Sequence, residues 1–287
     1  MTSCMVARVG AHKEVADLAA HSSVPVINAL SSDFHPLQTI ADFQTISESF
    51  PARTPTATSL GLEGLKVAWI GDSNNVLFDL AIGCIKMGVD IAVASPEGYG
   101  IPADMRQTIL AASEGVAQPG RLSETAVPEE AIKDADILVT DTWVSMGQEA
   151  ESQKRLKAFA GYQITNELAK RGGAKPDWKF MHCLPRHPEE VDDEVFYGPR
   201  SLVFPEAENR LWAAVCKCFS EAFMGVECVL TGFHSCIGGV CCQQGQDSLK
   251  RGVGCHSSKD PIVSNPSRRG FRRRVQKKST RIPRGCG

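Results

Sequence analysis

Between residues 65 and 184, apolar runs of strand length alternate with helical segments, and each run stops at a polar turn. The runs are "LKVAWIGD" (65–72), "DIAVASP" (90–96), "DILVTDTW" (136–143) and "DWKFMHCL" (177–184). Helical periodicity fills the gaps, in "NVLFDLAIGCIKMG" (75–88), "ADMRQTILAASEG" (103–115), "PEEAIKDA" (128–135) and "ESQKRLKAFAG" (151–161). Strands that are apolar almost throughout must be buried on both faces, which predicts a parallel sheet with helices on either side. Upstream, "HKEVADLAAH" (12–21) reads as a helix and "VPVINAL" (24–30) as a buried strand. "PLQTIADFQTISESF" (36–50) reads as a second helix, with Pro36 tolerated in its first turn. "PARTPTATSLGLEG" (51–64), rich in Pro, Thr and Gly, is a boundary.

Ligands of such sheets bind beyond the carboxyl ends of the strands. Four predicted strand ends carry polar side chains: "NALSSDFHPLQ", "WIGDSNN", "VTDTWVSMG" and "FMHCLPR". Their convergence into one site is the expectation.

Charge and cysteine divide the chain near residue 215. Residues 1–215 hold 18 Lys and Arg against 29 Asp and Glu, whereas residues 216–287 hold 13 against 4. Three of the 11 cysteines (Cys4, Cys84, Cys183) precede residue 216. The first part reads as a reduced intracellular protein. No apolar run reaches the length of a membrane span, and no apolar signal core opens the chain. After residue 215, "GFHSCIGGVCCQQGQ" has no clear period and "RRGFRRRVQKKSTRIPRG" is a basic run, so disorder is expected there, with nucleic-acid contact limited to nonspecific attraction.

Several chemistries fit poorly. "IGDSNN" lacks the later glycines of a dinucleotide turn. His182 and Cys183 are adjacent, a poor pair for one zinc ion, and the cysteines from Cys228 to Cys255 with His256 are irregularly spaced. His182 would point away from Cys183 across the strand, so a Cys–His nucleophile pair would need His35 instead.

The segments "DFHPLQTIAD", "WIGDSNN", "DTWVSMG", "HCLPRHPEEVDDEVF" and "SLVFPEAENRLWA" resemble ornithine transcarbamylases, in order and spacing, over about residues 3–214. The resemblance implies transfer of a carbamoyl group from carbamoyl phosphate to the δ-amino group of L-ornithine, giving citrulline and phosphate, with no metal or organic cofactor. It implies that Arg8, His35, Gln38, Cys183, Leu184 and Arg210 contact carbamoyl phosphate. It gives Asn75, Asp141, Ser145 and Met146 to ornithine, the last two on a loop that Gly147 lets move. Cys183, His35 and Arg210 would be catalytic, with Cys183 a thiolate if nearby arginines lower its pKa. It further implies a homotrimer and a mitochondrial matrix location. Other readings of single residues stay open. Cys183 suits a small core position, Asn74 and Asn75 suit turn or cap positions, Arg210 suits a pair with Glu206 on an exposed helix face, and Glu189–Glu194 suit a solvated surface with a helix start.

Two departures shape the expected organisation. The Ser-Thr-Arg-Thr phosphate motif of the family is not found, and "ARTPT" (52–56) lies after "HPLQ" rather than before it. After Ala214 the sequence leaves the family pattern. The expectation is an α/β chain of two doubly wound parallel-sheet domains. Residues 1–50 would be the remnant of a carbamoyl phosphate domain, 51–64 a linker, 65–214 an ornithine domain, and 215–287 a disordered tail unrelated to the family. An amino-acid-binding remnant without turnover, and a transcarbamylase for another amine, are the rival functions.

Overall fold

The computed structural model describes residues 2–50, 60–144 and 149–219, the side chains of Glu149 and of residues 217–219 excepted. The expected linker residues 51–59, the Ser145–Met146–Gly147 segment and the basic, cysteine-rich stretch from 220 onward lie outside the described residues.

The chain opens with strand β1 (Met5–Arg8), helix α1 (His12–His21), strand β2 (Val26–Leu30) and helix α2 (Pro36–Ser49). β1 and β2 pair in parallel. Then follow β3 (Lys66–Ile70), α3 (Asn75–Lys86), β4 (Asp90–Ala94), α4 (Ala103–Ala111), β5 (Leu122–Thr125), α5 (Pro128–Ile132) and β6 (Ile137–Thr140). A single 3₁₀ turn, Glu149–Glu151, leads into α6 (Ser152–Ala158). After it come α7 (Asn166–Gly172), β7 (Lys179–His182), α8 (Asp193–Phe196) and α9 (Val203–Phe219). β3 to β7 form one parallel sheet in the order β5-β4-β3-β6-β7.

Side-chain alternation divides the core across this sheet. Val67 and Trp69 of β3 pack with α3 on one face, while Ala68 and Ile70 pack with α5 and α7 on the other. Both layers are built of buried apolar side chains, so the strands read as unbroken apolar runs. The strand order reverses between β3 and β6, and a crevice opens there beyond the strand ends.

Local signals set the boundaries. The Asn74 side chain accepts the Val76 and Leu77 N–H groups and starts α3. Thr165 and Asp192 cap α7 and α8 in the same way. Gly71 has φ 149°, and a Cβ there would lie 3.0 Å from Thr140 Oγ1, so this glycine serves the passage of β3 past β6. α9 lies against α2 and carries on through Ala214 to Phe219, beyond the point where the sequence departs from the family pattern.

Candidate active site

The four polar strand ends converge. Beyond β6, Asp141 accepts the Cys183 thiol hydrogen at 3.0 Å through Oδ1 and the Asn74 amide at 2.7 Å through Oδ2. Asn75, next to that cap, reaches out of the five-stranded part and donates to the Ser31 carbonyl beyond β2 at 2.7 Å. Asp79 on α3 accepts the His35 backbone N–H at 2.5 Å, where α2 begins. Hydrogen bonds thus gather Ser31, His35, Asn74, Asn75, Asp79, Asp141 and Cys183 around one end of both sheets. A cleft of about 940 Å³ lies beside them, lined among others by Ser31, Asp72, Asn75, Tyr99 and Arg155.

His35 is buried, and its Nδ1 has no hydrogen-bond partner. Burial, reinforced by Arg210 and Arg8, pushes its pKa down to about 3, so the ring is neutral at physiological pH. Neither Arg8 nor Arg210 forms a salt bridge among the described residues, and the buried Nη1 of Arg210 is unpartnered. Burial lowers the Arg210 pKa, with the nearby Asp42, Cys183 and Glu206 acting against that. Two guanidiniums whose charge is felt at a neutral imidazole suit an anion with a polarised oxygen.

Gln38 sits one turn beyond His35 and is buried. Its Nε2 donates to Asp42 at 2.7 Å and to Glu206 at 2.9 Å. Glu206 also accepts the His182 backbone N–H at 2.9 Å. Burial pushes Asp42 up to about 7 and Glu206 well above the usual carboxylate range.

Cys183 differs from the sequence expectation of a thiolate. Burial, the adjacent Asp141 carboxylate and the nearby Glu206 and Asp42 push its thiol well up. It is a neutral donor. His182 turns the other way: its Nδ1 accepts the Leu184 N–H at 2.9 Å and its Nε2 faces Glu190 at 3.0 Å, which fixes the neutral tautomer. Asp141, His182 and Cys183 have potential donor atoms within 4.8 Å of one another, yet both imidazole nitrogens already carry partners. Leu184 takes φ 65°, the left-handed region, held by that bond to His182.

The expectation of a solvated Glu189–Glu194 surface fails at Glu190, which is 1% exposed and accepts from His182, His187 and Trp143. The exposed pair between Arg210 and Glu206 fails too, because Glu206 is buried. Sequence reading missed the supporting residues: Asn74 as a partner of Asp141, the acids Asp42, Asp79 and Glu206, and the buried Arg155–Asp72 pair at 2.9 Å. The available signal was an acid inside an apolar helical run, as in "NVLFDLAIGC". Ser145 and Met146 lie outside the described residues.

Comparison with known proteins resolves the family. The aspartate/ornithine carbamoyltransferase Asp/Orn binding domain matches residues 63–216, and the carbamoyl-P binding domain of the same family matches residues 1–48. The chain belongs to the aspartate/ornithine carbamoyltransferase family. It is 73% identical over 215 residues to the mitochondrial ornithine carbamoyltransferase of Aspergillus terreus, covering 75% of this chain and 60% of that protein. The Schizosaccharomyces pombe mitochondrial ornithine carbamoyltransferase is 52% identical over 216 residues, covering 75% and 62%. Among solved structures, the mitochondrial ornithine carbamoyltransferase of Coccidioides immitis superposes with a TM-score of 0.71 at 61% identity, covering 81% of this chain and 68% of that one. The chain therefore spans about 60% of the length of the first curated relatives it matches. Among the described residues no helix is long and apolar enough to cross a membrane.

Proposed function

We propose that this carbamoyltransferase-family chain transfers the carbamoyl group of carbamoyl phosphate to the δ-amino group of L-ornithine. The observation that carries the reading is the neutral His35 with an unpartnered Nδ1, flanked by Arg8 and Arg210, neither of which has an ion pair among the described residues. Those cations suit the phosphoryl and carbonyl oxygens, and a neutral imidazole supplies one N–H to the carbonyl as it gains charge. Beside them, Asp141 suits an approaching ammonium, with Cys183 and Asn74 holding its carboxylate in place. Asn75, Ser145 and Met146 complete the ornithine side of the proposal.

In the step itself, the amine lone pair forms the N–C bond to the carbamoyl carbon. The C–O bond to phosphate breaks, and phosphate leaves with that electron pair. The amine proton leaves with the phosphate. The names of the relatives support a mitochondrial location, which we assign to the matrix, and a trimer is proposed as the assembly.

The test is citrulline formation by the full chain from ornithine and carbamoyl phosphate. Arg210→Ala is expected to lower kcat/KM by about 100-fold or more, the scale of losing one charge-stabilising donor. Calorimetry showing that neither substrate binds, together with absence of citrulline, would overturn the reading. Ornithine binding without citrulline would favour an amino-acid-binding role.

A further inference from the structure

Helix α1 begins at His12, and the turn that follows β2 is tied to that residue from both ends. The His12 backbone N–H donates to Ser32 Oγ at 3.1 Å, and the imidazole Nδ1 shares a hydrogen bond with Ser31 Oγ at 2.9 Å. The ring also meets Phe34 edge-on, with 4.9 Å between centroids. Ser31 is fully buried, and its hydroxyl is reached by the Asn28 amide at 3.1 Å and the Phe34 N–H at 3.3 Å as well. Ser32 N–H donates to the Gly10 carbonyl at 2.7 Å and Val9 N–H to the Leu30 carbonyl at 2.9 Å, so the segments leaving β1 and β2 are laced together. The Ser31 carbonyl accepts the Asn75 amide at 2.7 Å.

As a purely structural joint this cluster is poorly made. His12 Nε2 and Asn28 Oδ1 are buried without a hydrogen-bond partner among the described residues. An apolar side chain at position 12 would pack on Phe34 and strand no buried nitrogen. Only a polar one can hold the Ser31 hydroxyl.

We propose that His12 is a positioning residue for the acceptor side of the reaction: its bond to Ser31 fixes the carbonyl that holds Asn75. The inference rests on the transferase reading above, which gives Asn75 to ornithine, and extends it to α1, a helix carrying none of the residues assigned to a substrate. Two hydrogen bonds in series carry the effect, from His12 to the Ser31 side chain and from the Ser31 main chain to Asn75. Leu30, Ser31 and Ser32 of this turn line the cleft together with Asn75. The donor side has a separate anchor, because Asp79 accepts the His35 N–H. Loss of His12 therefore falls on ornithine more than on carbamoyl phosphate.

The experiment separates the hydrogen bond from the packing, on the full chain. His12→Leu keeps an apolar contact for Phe34 and removes the bond. His12→Asn removes the ring and sets an amide close to where Nδ1 stood, able to donate or accept. Citrulline formation gives kcat/KM for ornithine, calorimetry gives Kd for carbamoyl phosphate, and thermal melting gives Tm. His12→Leu is expected to lower kcat/KM for ornithine about tenfold, the scale of one hydrogen bond. Its Kd for carbamoyl phosphate should stay within about threefold of wild type, and its Tm within about 3 °C. His12→Asn should hold kcat/KM within about threefold of wild type. With Ser31→Ala already in place, His12→Leu should add no further loss.

Wild-type kcat/KM in His12→Leu would overturn the proposal and leave the transferase reading intact. So would equal losses in His12→Leu and His12→Asn, or an undiminished further loss in the Ser31→Ala background. A fall in Tm and in carbamoyl phosphate affinity that tracks the lost activity would also overturn it, by marking a merely structural role. Wild type that forms no citrulline would sink the transferase reading and this inference with it.

Discussion

On the five-stranded sheet, Asp141 is held by Asn74 and Cys183, and His182 by Glu190 and the Leu184 N–H, all from strand ends or loops of that sheet. On the two-stranded sheet, His35 and Gln38 lean on Asp79 and Glu206, which belong to α3 and α9. The larger part has buried apolar layers on both faces of its sheet, while the smaller adds chiefly Val15, Val26, Ile27 and the inner face of α2. A part with little core of its own cannot hold buried polar groups by itself. The larger part thus supplies a partner for the His35 backbone and, together with Asp42 of α2 itself, for the Gln38 side chain.

The largest test of that contrast is Arg155→Ala. Arg155 binds Asp72 and the Trp143 carbonyl, stacks over Tyr99 at 5.1 Å and lies wholly within the larger part. Its loss strands a buried carboxylate, for an expected cost of about 3–5 kcal/mol in urea unfolding. A cost under about 1 kcal/mol would show that the larger part is not the rigid partner.

Asp79→Asn sharpens the comparison through pH. Burial pushes Asp79 up to about 8, with the His35 N–H opposing and Asp42 adding to the rise. A folded pKa above the unfolded value means that the contribution to stability is present at low pH and lost as pH rises through 8. Wild type should therefore lose stability on the order of a few kcal/mol between about pH 5 and 9, and the asparagine variant should lose much less. His35 works in the opposite sense and lower down, because its depressed pKa removes stability as pH falls from about 6.5 toward 3. Parallel thermal-melting profiles for wild type and variant would break the assignment of His35 support to Asp79.

The smallest effect belongs to Asn75→Ala. It removes one donor to the Ser31 carbonyl, worth about 0.5–1.5 kcal/mol. Hydrogen exchange should quicken over residues 26–50 more than over β3–β7. Uniform quickening would mean that the two parts are one cooperative unit.

Much of the larger part is legible in the sequence because burial on both faces writes itself as apolar runs, as in "KVAWI" and "ILVT". Short strands with mixed exposure escaped: β1 reads "MVAR" and β5 reads "LSET". The short helix α7 escaped too, since charges crowd its sequence. The polar strand ends pointed to the place of the site. The acids that support it did not show, because a buried carboxyl group and a surface one are the same letter. Gln38 and Glu206 are 168 positions apart, and only the folded contact reveals their relation.

That separation has a consequence for the newly made chain. Ribosomes add roughly 5–20 residues per second. Gln38 must then wait roughly 10–30 s after its own synthesis before Glu206 exists to receive its amide. During that interval the Gln38–Thr45 side of α2 has no α9 to lie against, although its apolar side can already pack on α3. The early segment completes its half of the pocket only when one of the last described helices emerges, so the order of synthesis runs opposite to the order of dependence.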